Sequence, residues 1–275
     1  MKRLVTMQDL SCMGKCSLTV VLPTVCAMGV ECAVVPTAVL STHVAFPAPA
    51  AQSLDDFAAR ELDHWKTLDA RFDGILTGYL ASPGQVELAR RLIREFAGEG
   101  TSVVVDPAMA DHGALYAGTD PAMIGAMAQL CAMAQVALPN ATEAALMTGL
   151  PFRESGETAY YRELAEGMQS LGCRGVMITG AGTDETSTGF YWRCGETEFH
   201  GLFPRENRTC HGTGDLFAAV VASGLVRGME ICDAGTLAAE FIRRVIRRTP
   251  VTGDSRYGVE FETSLPFLWE AVKTL

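Results

Sequence analysis

The sequence predicts an α/β fold in which parallel strands carry helices on both faces. Short β-like runs alternate with longer helical runs along almost the whole chain. At 275 residues the chain is long enough for one large α/β domain with a well-buried core. Hydrophobic residues make up 48% of it, which argues against disorder.

Strands are expected over Arg3–Met7, Ala33–Pro36, Gly74–Thr77, Ser102–Val105, Val136–Leu138 and Gly175–Thr179, each a brief apolar run. Helices are expected over Ser17–Met28, Leu54–Leu68, Pro83–Ala97, Pro121–Met133, Thr142–Thr148, Glu157–Leu171, Asp215–Arg227 and Cys232–Arg247. Thr188–Arg193 and Glu196–Phe203 read as a hairpin turning at Cys194-Gly195. The Pro- and Ala-rich segment His43–Gln52 reads as a loop or flap. No domain-sized linker and no internal repeat interrupts this pattern, so a single domain over residues 1–275 is expected.

A net charge of −10 argues against non-specific binding to nucleic acid or to an anionic membrane. An anionic ligand would have to be held locally, by backbone amides, a metal or a few basic groups. Nine cysteines with no secretory signal point to reduced thiols and a cytoplasmic protein. Cys12 and Cys16 lack a second pair at zinc-site spacing. The apolar stretch from Met123 to Leu138 contains Gln129 and Gln135 and reads as a buried helix plus strand rather than a membrane span.

Polar residues follow the expected strands: Asp9 and Ser11, Thr37, Tyr79, Asp106, Asn140, and Gly180. In open α/β sheets ligands bind beyond the carboxyl ends of the strands, so these residues are expected to converge on one crevice. Solvated loops alone would account for about half of them.

The strongest local signal is His211-Gly212-Thr213-Gly214-Asp215, running straight into Leu216-Phe217-Ala218-Ala219-Val220-Val221. A glycine-rich turn opening a helix leaves amides unpaired at the positive end of the helix dipole, which makes an anion cradle. An acid inside such a cradle would repel its ligand unless it has a task. Accepting a proton from a hydroxyl about to attack phosphorus is that task. Two further segments support phosphate chemistry. Val105-Asp106-Pro107-Ala108-Met109-Ala110-Asp111 places a stiffly held carboxylate after a buried strand. In Leu138-Pro139-Asn140-Ala141-Thr142-Glu143, Asn140 or Thr142 caps a helix. Glu143 there either complements the helix dipole or holds Mg²⁺ through water.

Together these segments resemble the ribokinase-like superfamily, and within it the pyridoxal/pyridoxamine (vitamin B6) kinases. Asp106–Asp111 is similar to the family's Asp-Pro-Val-Met-Gly-Asp, Pro139–Glu143 to its Pro-Asn-x-x-Glu, and Gly212–Asp215 matches its Gly-x-Gly-Asp. Leu40-Ser41-Thr42-His43, Thr77-Gly78-Tyr79-Leu80 and Arg256-Tyr257-Gly258-Val259-Glu260-Phe261 are similar to further segments of those kinases. The resemblance implies a three-layer α/β/α sandwich with a mostly parallel central sheet. It implies ATP-dependent phosphorylation of the 5′-hydroxymethyl group of pyridoxal, pyridoxamine or pyridoxine. Asp215 would be the base, with the amides of Gly212, Thr213 and Gly214 stabilising the transferring phosphoryl group. Asp106 and Glu143 would organise Mg²⁺, and Asn140 and Thr179 would lie at the nucleotide. Ser11 would bond the pyridine ring, with Thr37, His43 and Tyr79 around it. A homodimer fits the resemblance, and a monovalent cation stays open.

Three positions depart from the family pattern. Val44 stands where many relatives have threonine, Ala110 replaces a glycine, and Lys15 is unexpected in its turn. Lys15 is either a solvated lysine or a contact on the substrate side. Cys210, beside the cradle, reads as an inert buried thiol. No Gly-x-x-x-x-Gly-Lys-Ser/Thr occurs, which excludes a P-loop enzyme. A hydroxymethylpyrimidine or sugar kinase of the same superfamily is the nearest rival. Gly180-Ala181-Gly182 is only a weak dinucleotide signal, because it lacks a third glycine. A non-catalytic B6-binding protein would have no need of Asp215.

Overall fold

The structure, a computed structural model, describes every residue except Asn207, Thr209 and Gly253. In chain order it forms β1 (Arg3–Ser11), α1 (Leu18–Ala27), β2 (Glu31–Leu40), β3 (Ala51–Ser53), α2 (Asp55–Thr67) and β4 (Gly74–Thr77). Next come α3 (Pro83–Phe96), β5 (Ser102–Val105), β6 (Ala110–Asp111), β7 (Ala114–Leu115), α4 (Ala122–Cys131), β8 (Val136–Ala137), α5 (Ala141–Thr148) and α6 (Thr158–Ser170). The remainder is β9 (Gly175–Thr179), β10 (Ser187–Cys194), β11 (Thr197–Pro204), α7 (Thr213–Val226), α8 (Ile231–Arg248) and α9 (Leu265–Val272). The expected class holds: this is an α/β fold with a mostly parallel central sheet.

By its contacts the chain divides into two compact units. One comprises Met1–Leu76, Glu95–Ser102 and Glu206–Leu275, the other Thr77–Arg94 and Val103–Arg205. In the first, the strand order is β4-β1-β2-β3. β1 is buried along almost its whole length, because it is covered on both faces, as parallel interior strands are. Helix α7 is buried nearly all round, from Leu216 to Val226, and therefore lacks a polar face. Its far end presses close to the sheet: a Cβ on Gly74 would lie 2.4 Å from Val226 Cγ2 and 3.3 Å from Leu4 Cδ1.

β1 and β2 run parallel in register from Arg3 opposite Glu31 to Ser11 opposite Leu40, with one slip between Gln8 and Leu10. Gln8 faces Pro36 and Leu10 faces Val39, so Thr37 and Ala38 together oppose Asp9. Such a bulge bends a strand and re-aims its side chains. Pro36, which has no N–H to give a ladder, stands at its start. The bulge leaves Asp9 and Thr37 buried, at 3% and 1% exposure.

In the second unit the order is β5-β8-β9-β10-β11. β5, β8 and β9 are parallel, while β10 runs antiparallel to both β9 and β11. The β10–β11 hairpin turns at Cys194 and Gly195 as expected, with Gly195 at φ 57. Tyr161, packed against Tyr191 and His200, donates its hydroxyl to the Gly182 carbonyl at 2.7 Å.

Several boundaries differ from expectation. β1 continues four residues beyond Met7, because Gln8, Asp9 and Ser11 keep their ladder with β2 while buried. The end of the expected flap pairs with β2 as β3. The short α9 and the β6–β7 pair carry too few periodic residues to be foreseen. Among the described residues no helix is long and apolar enough to cross a membrane.

Candidate functional site

In the first unit the site is built on the N-terminus of α7. Gly212 is its N-cap, in the left-handed region at φ 82. A Cβ there would stand 2.4 Å from the Lys15 carbonyl oxygen, so glycine is required by conformation and by space. Among the described residues no side chain caps this helix, although the first turn of any helix has amides without an internal partner. Gly214 is exposed, and a Cβ on it would meet nothing within 4 Å. Protein packing therefore does not demand glycine at Gly214. Its absent side chain leaves room for a ligand to approach the amides.

Asp215, the third residue of the helix, is half-buried. Its Oδ2 accepts a hydrogen bond from the Ser17 amide at 2.9 Å. Burial raises its pKa from 3.8 to about 6; the Ser17 amide opposes that shift and the charge of Asp9 adds to it. A carboxylate so tuned is ionised at neutral pH yet a stronger proton acceptor than an ordinary one.

Asp9 is the second acid of this cluster. The Ser11 hydroxyl donates to its Oδ2 at 2.8 Å. Burial raises the Asp9 pKa, and hydrogen bonding at its carboxylate opposes that shift. Ser17 was not among the sequence candidates, and Asp9 was grouped with the polar residues expected at the crevice without a role of its own. Ser17 read as an ordinary helix start, and nothing local predicts its backbone at φ 50 and ψ −131. Between them lies Cys16, whose thiol is pushed up to about 12, first by burial and then by Asp215. Cys210 is raised by burial too, in line with the inert thiol expected of it.

His43 is 7% exposed and fully engaged. Its Nε2 lies 2.6 Å from the Arg256 carbonyl oxygen, and its Nδ1 accepts from the Ala45 amide at 3.3 Å. This pairing fits the tautomer protonated on Nε2. The ring packs against Phe46 and His211, with centroids 5.0 and 4.9 Å away, and Phe46 meets Tyr257 at 5.2 Å. His43 thus clasps the start of the His43–Gln52 flap to the C-terminal segment. Lys15 is not a free solvated lysine: its Nζ pairs with Glu262 at 2.9 Å. Val44 is exposed.

In the second unit, Asp106, Asn140 and Thr179 follow or end the adjacent parallel strands β5, β8 and β9. Asn140 is the N-cap of α5, settling the choice between it and Thr142. Its Oδ1 accepts from the Glu143 amide at 2.9 Å, and its Nδ2 donates to the Ala110 carbonyl at 2.8 Å. Glu143 answers with Oε2, which accepts from the Asn140 amide at 2.9 Å and completes a capping box. Glu143 Oε1 accepts from the amides of Met109 and Ala110 at 3.0 and 3.4 Å. Burial pushes the Glu143 pKa up and these three amides pull against it. With both oxygens occupied, Glu143 fixes the 106–111 segment to α5. The alanine at 110 fits this clamp through its amide. Thr142 accepts from the Gly113 amide at 3.0 Å. Asp106 is half-buried, donating its amide to the Thr77 carbonyl at 3.0 Å, and Tyr79 is half-buried two residues beyond the end of β4.

Comparison with known proteins bears on the family and the fold. The phosphomethylpyrimidine kinase family model matches residues 18–260. Pyridoxal kinase from Lactobacillus plantarum superposes with a TM-score of 0.90 at 29% identity, covering 100% of this chain and 99% of that one. A Bacteroides thetaiotaomicron protein assigned as a phosphomethylpyrimidine kinase, in a crystal form with pyridoxal, superposes at 0.91 with 30% identity, covering 98% and 96%. The hydroxymethylpyrimidine/phosphomethylpyrimidine kinase of Streptomyces coelicolor is 33% identical over 186 residues, 65% of this chain and 64% of that protein. The chain spans between 41% and 65% of the length of the first curated relatives it matches. On the family match, the agreement in fold and the Gly212–Asp215 cradle, the chain belongs to the phosphomethylpyrimidine kinase family, within the ribokinase-like superfamily.

Proposed function

We propose that the protein transfers the terminal phosphoryl group of ATP to the 5′-hydroxymethyl group of a B6 vitamer. The observation that carries this reading is Asp215, held by one amide at an uncapped helix start whose neighbour Gly214 leaves open space. An acid there serves proton removal from an alcohol, and the amides of Gly212, Thr213 and Gly214 serve a phosphoryl group. Pyridoxal as acceptor is favoured by the likeness to the Lactobacillus and Bacteroides proteins. Hydroxymethylpyrimidine is the second reading, favoured by the family match and the Streptomyces relative.

In this reading Asp215 accepts the hydroxyl proton, and Ser11, Thr37, His43 and Tyr79 shape the acceptor side. His43 would contribute its ring face, since both nitrogens are spent on backbone. Asn140 and Thr179 serve the nucleotide. A magnesium ion bound with the nucleotide would neutralise charge on its phosphates. Magnesium keeps several waters and needs few carboxylates, which suits Asp106 facing its water shell. Glu143, already saturated, fits the task of fixing the segment that carries Asp106.

A coupled ADP-release assay across pyridoxal, pyridoxamine, pyridoxine, hydroxymethylpyrimidine and ribose tests the proposal. Turnover with a B6 vitamer above the others supports it, and faster turnover of hydroxymethylpyrimidine transfers it to the second reading. Repeating the assay in potassium and in sodium reads any monovalent-cation requirement. Light scattering reads the homodimer that this reading includes.

A further inference from the structure

The turn that leaves β9 is held by its carbonyls. Thr179 ends the strand half-buried, and Gly180 follows it exposed at φ 67, where an added Cβ would meet nothing within 4 Å. Ala181 and Gly182 come next and are buried. Their amides are spent locally. Ala181 donates to the Gly189 carbonyl at 3.1 Å and Gly182 to the Gly180 carbonyl at 2.9 Å. Their carbonyls need partners too, because a buried backbone acceptor without one is costly. Two side chains meet that need. His200 Nε2 lies 3.1 Å from the Ala181 oxygen, and the Tyr161 hydroxyl donates to the Gly182 oxygen at 2.7 Å. A carbonyl only accepts, so His200 carries a proton on Nε2. In the neutral ring Nδ1 then accepts from the Thr158 hydroxyl, 2.9 Å away. Thr158 and Tyr161 stand three residues apart in the first turn of α6, on one face of that helix. The His200 ring meets Tyr161 and Tyr191 edge-on, with centroids 5.5 and 5.6 Å apart. The start of α6 and one histidine of β11 therefore fix this turn through its oxygens.

We infer that His200 and Tyr161 are positioning residues for the nucleotide: by bonding the carbonyls of Ala181 and Gly182, they fix the turn on which Thr179 and Gly180 stand beyond β9. The inference rests on the kinase reading, in which Thr179 serves the nucleotide, and adds residues which that reading does not use. Ligands of open α/β sheets bind beyond the carboxyl ends of the strands, which is where this turn begins. Asn140, the other nucleotide residue of that reading, is bridged to Thr179. Without either side chain a buried carbonyl would lose its acceptor bond. The easiest relief is rotation of that peptide, and Gly180 would rotate with it because no Cβ resists. Tyr191 supplies an internal control. It belongs to the same ring cluster, but its hydroxyl goes to Glu198 Oε2 at 2.5 Å rather than to the turn.

Calorimetric titration with ADP reads this role without turnover. Tyr161→Phe keeps the ring, loses the donor and is expected to weaken ADP binding about fivefold. His200→Leu loses both ring nitrogens and should weaken it about tenfold. His200→Gln can keep a donor for the Ala181 oxygen and should bind ADP within about twofold of the wild type. Tyr191→Phe should melt at or below the wild-type temperature and keep wild-type ADP affinity. In steady-state assays the nucleotide KM should follow the ADP effect, while the acceptor KM changes less than about twofold. Thr158→Val removes only the hydroxyl that orients His200 and guards against misfolding, with ADP about twofold weaker. Wild-type ADP affinity in a folded Tyr161→Phe and His200→Leu overturns the inference. If His200→Leu does not fold, wild-type affinity in both Tyr161→Phe and Thr158→Val overturns it. A Tyr191→Phe that weakens ADP as much as Tyr161→Phe overturns it as well, because the ring cluster would then act only through general packing. A wild type that binds neither ADP nor ATP would instead overturn the kinase reading, and the inference with it.

Discussion

Helices α5 and α7 both begin with an acid at their third residue, and they use it in opposite ways. At α5, Asn140 caps the helix, Glu143 bonds back to the cap amide, and its other oxygen takes two more amides. At α7, the cap is a glycine with no side chain to offer, and Asp215 turns outward to Ser17. The first N-terminus is closed by the chain's own atoms. Among the described residues no side chain caps the second, and its first-turn amides face outward for a ligand. An acid near a helix start is therefore not diagnostic by itself; what separates a structural acid from a reactive one is whether the first-turn amides are already filled.

The sharpest way to break this contrast is Asp215→Asn. Loss of a positioned base is expected to lower kcat by about 10²–10⁴, measured by ADP release. The same change should stabilise the fold. The folded-state pKa of Asp215 is raised to about 6, so its ionised form opposes folding. Its proton is held more tightly folded than unfolded, so stability is greatest below pH 4 and falls as pH rises through about 6. At pH 7.5 the full cost is present, about 1–2 kcal/mol after allowance for partial exposure. Removing the charge should raise the melting temperature by roughly 2–5 °C in a thermal scan. Wild-type kcat should fall below about pH 6, where Asp215 is protonated. A variant that loses stability and keeps its rate would make Asp215 structural, like Glu143.

Gly212→Ala attacks the same N-terminus through its backbone. The added methyl would meet the Lys15 carbonyl at 2.4 Å in a conformation that alanine resists. A loss of about 2–3 kcal/mol and at least a tenfold fall in kcat are expected, since the turn must shift. Denaturant titration and steady-state kinetics read the two effects.

Glu143→Ala sharpens the contrast from the other helix. It leaves the amides of Met109, Ala110 and Asn140 without their acceptor in a buried place. The expected cost is about 2–4 kcal/mol, seen as a lower melting temperature. Whatever activity survives should show the change in nucleotide KM rather than in the pH profile. A stable variant with abolished magnesium dependence would return Glu143 to the metal.

The contrast also shows what was legible in the sequence. Strand and helix order came through because hydrophobic periodicity is local, and the cradle because the glycine that backbone and space require at 212 stands two and three residues from a second glycine and an acid. Glu143 was legible only as an alternative. The same residue at the same spacing serves a dipole, a capping box or a metal, and the choice depends on where Met109 and Ala110 lie. Asp9 was legible only as one of the polar residues expected at the crevice, and Ser17 only as a helix start, since a bulge between β1 and β2 and a positive φ at a serine are imposed by tertiary contacts. His43 was seen as a site residue, but its bond to the Arg256 carbonyl joins positions 213 residues apart, beyond any local pattern.

Gly214→Ala carries the smallest structural change and tests the open N-terminus directly. In the folded chain the new methyl would meet no atom within 4 Å, and the helix would gain from a better helix former. Stability should therefore stay level or rise by up to about 1 kcal/mol. If the space beside Gly214 is reserved for a phosphoryl group, the same methyl must intrude on it. Nucleotide KM should then rise and kcat fall, together about tenfold in kcat/KM, in a protein that melts no earlier than the wild type. The equivalent intrusion at α5 has no such consequence to show, because Asn140 and Glu143 already occupy that helix's amides. Unchanged kinetics in Gly214→Ala would mean that the α7 amides are open to water alone, and the difference between the two helix starts would lose its functional meaning.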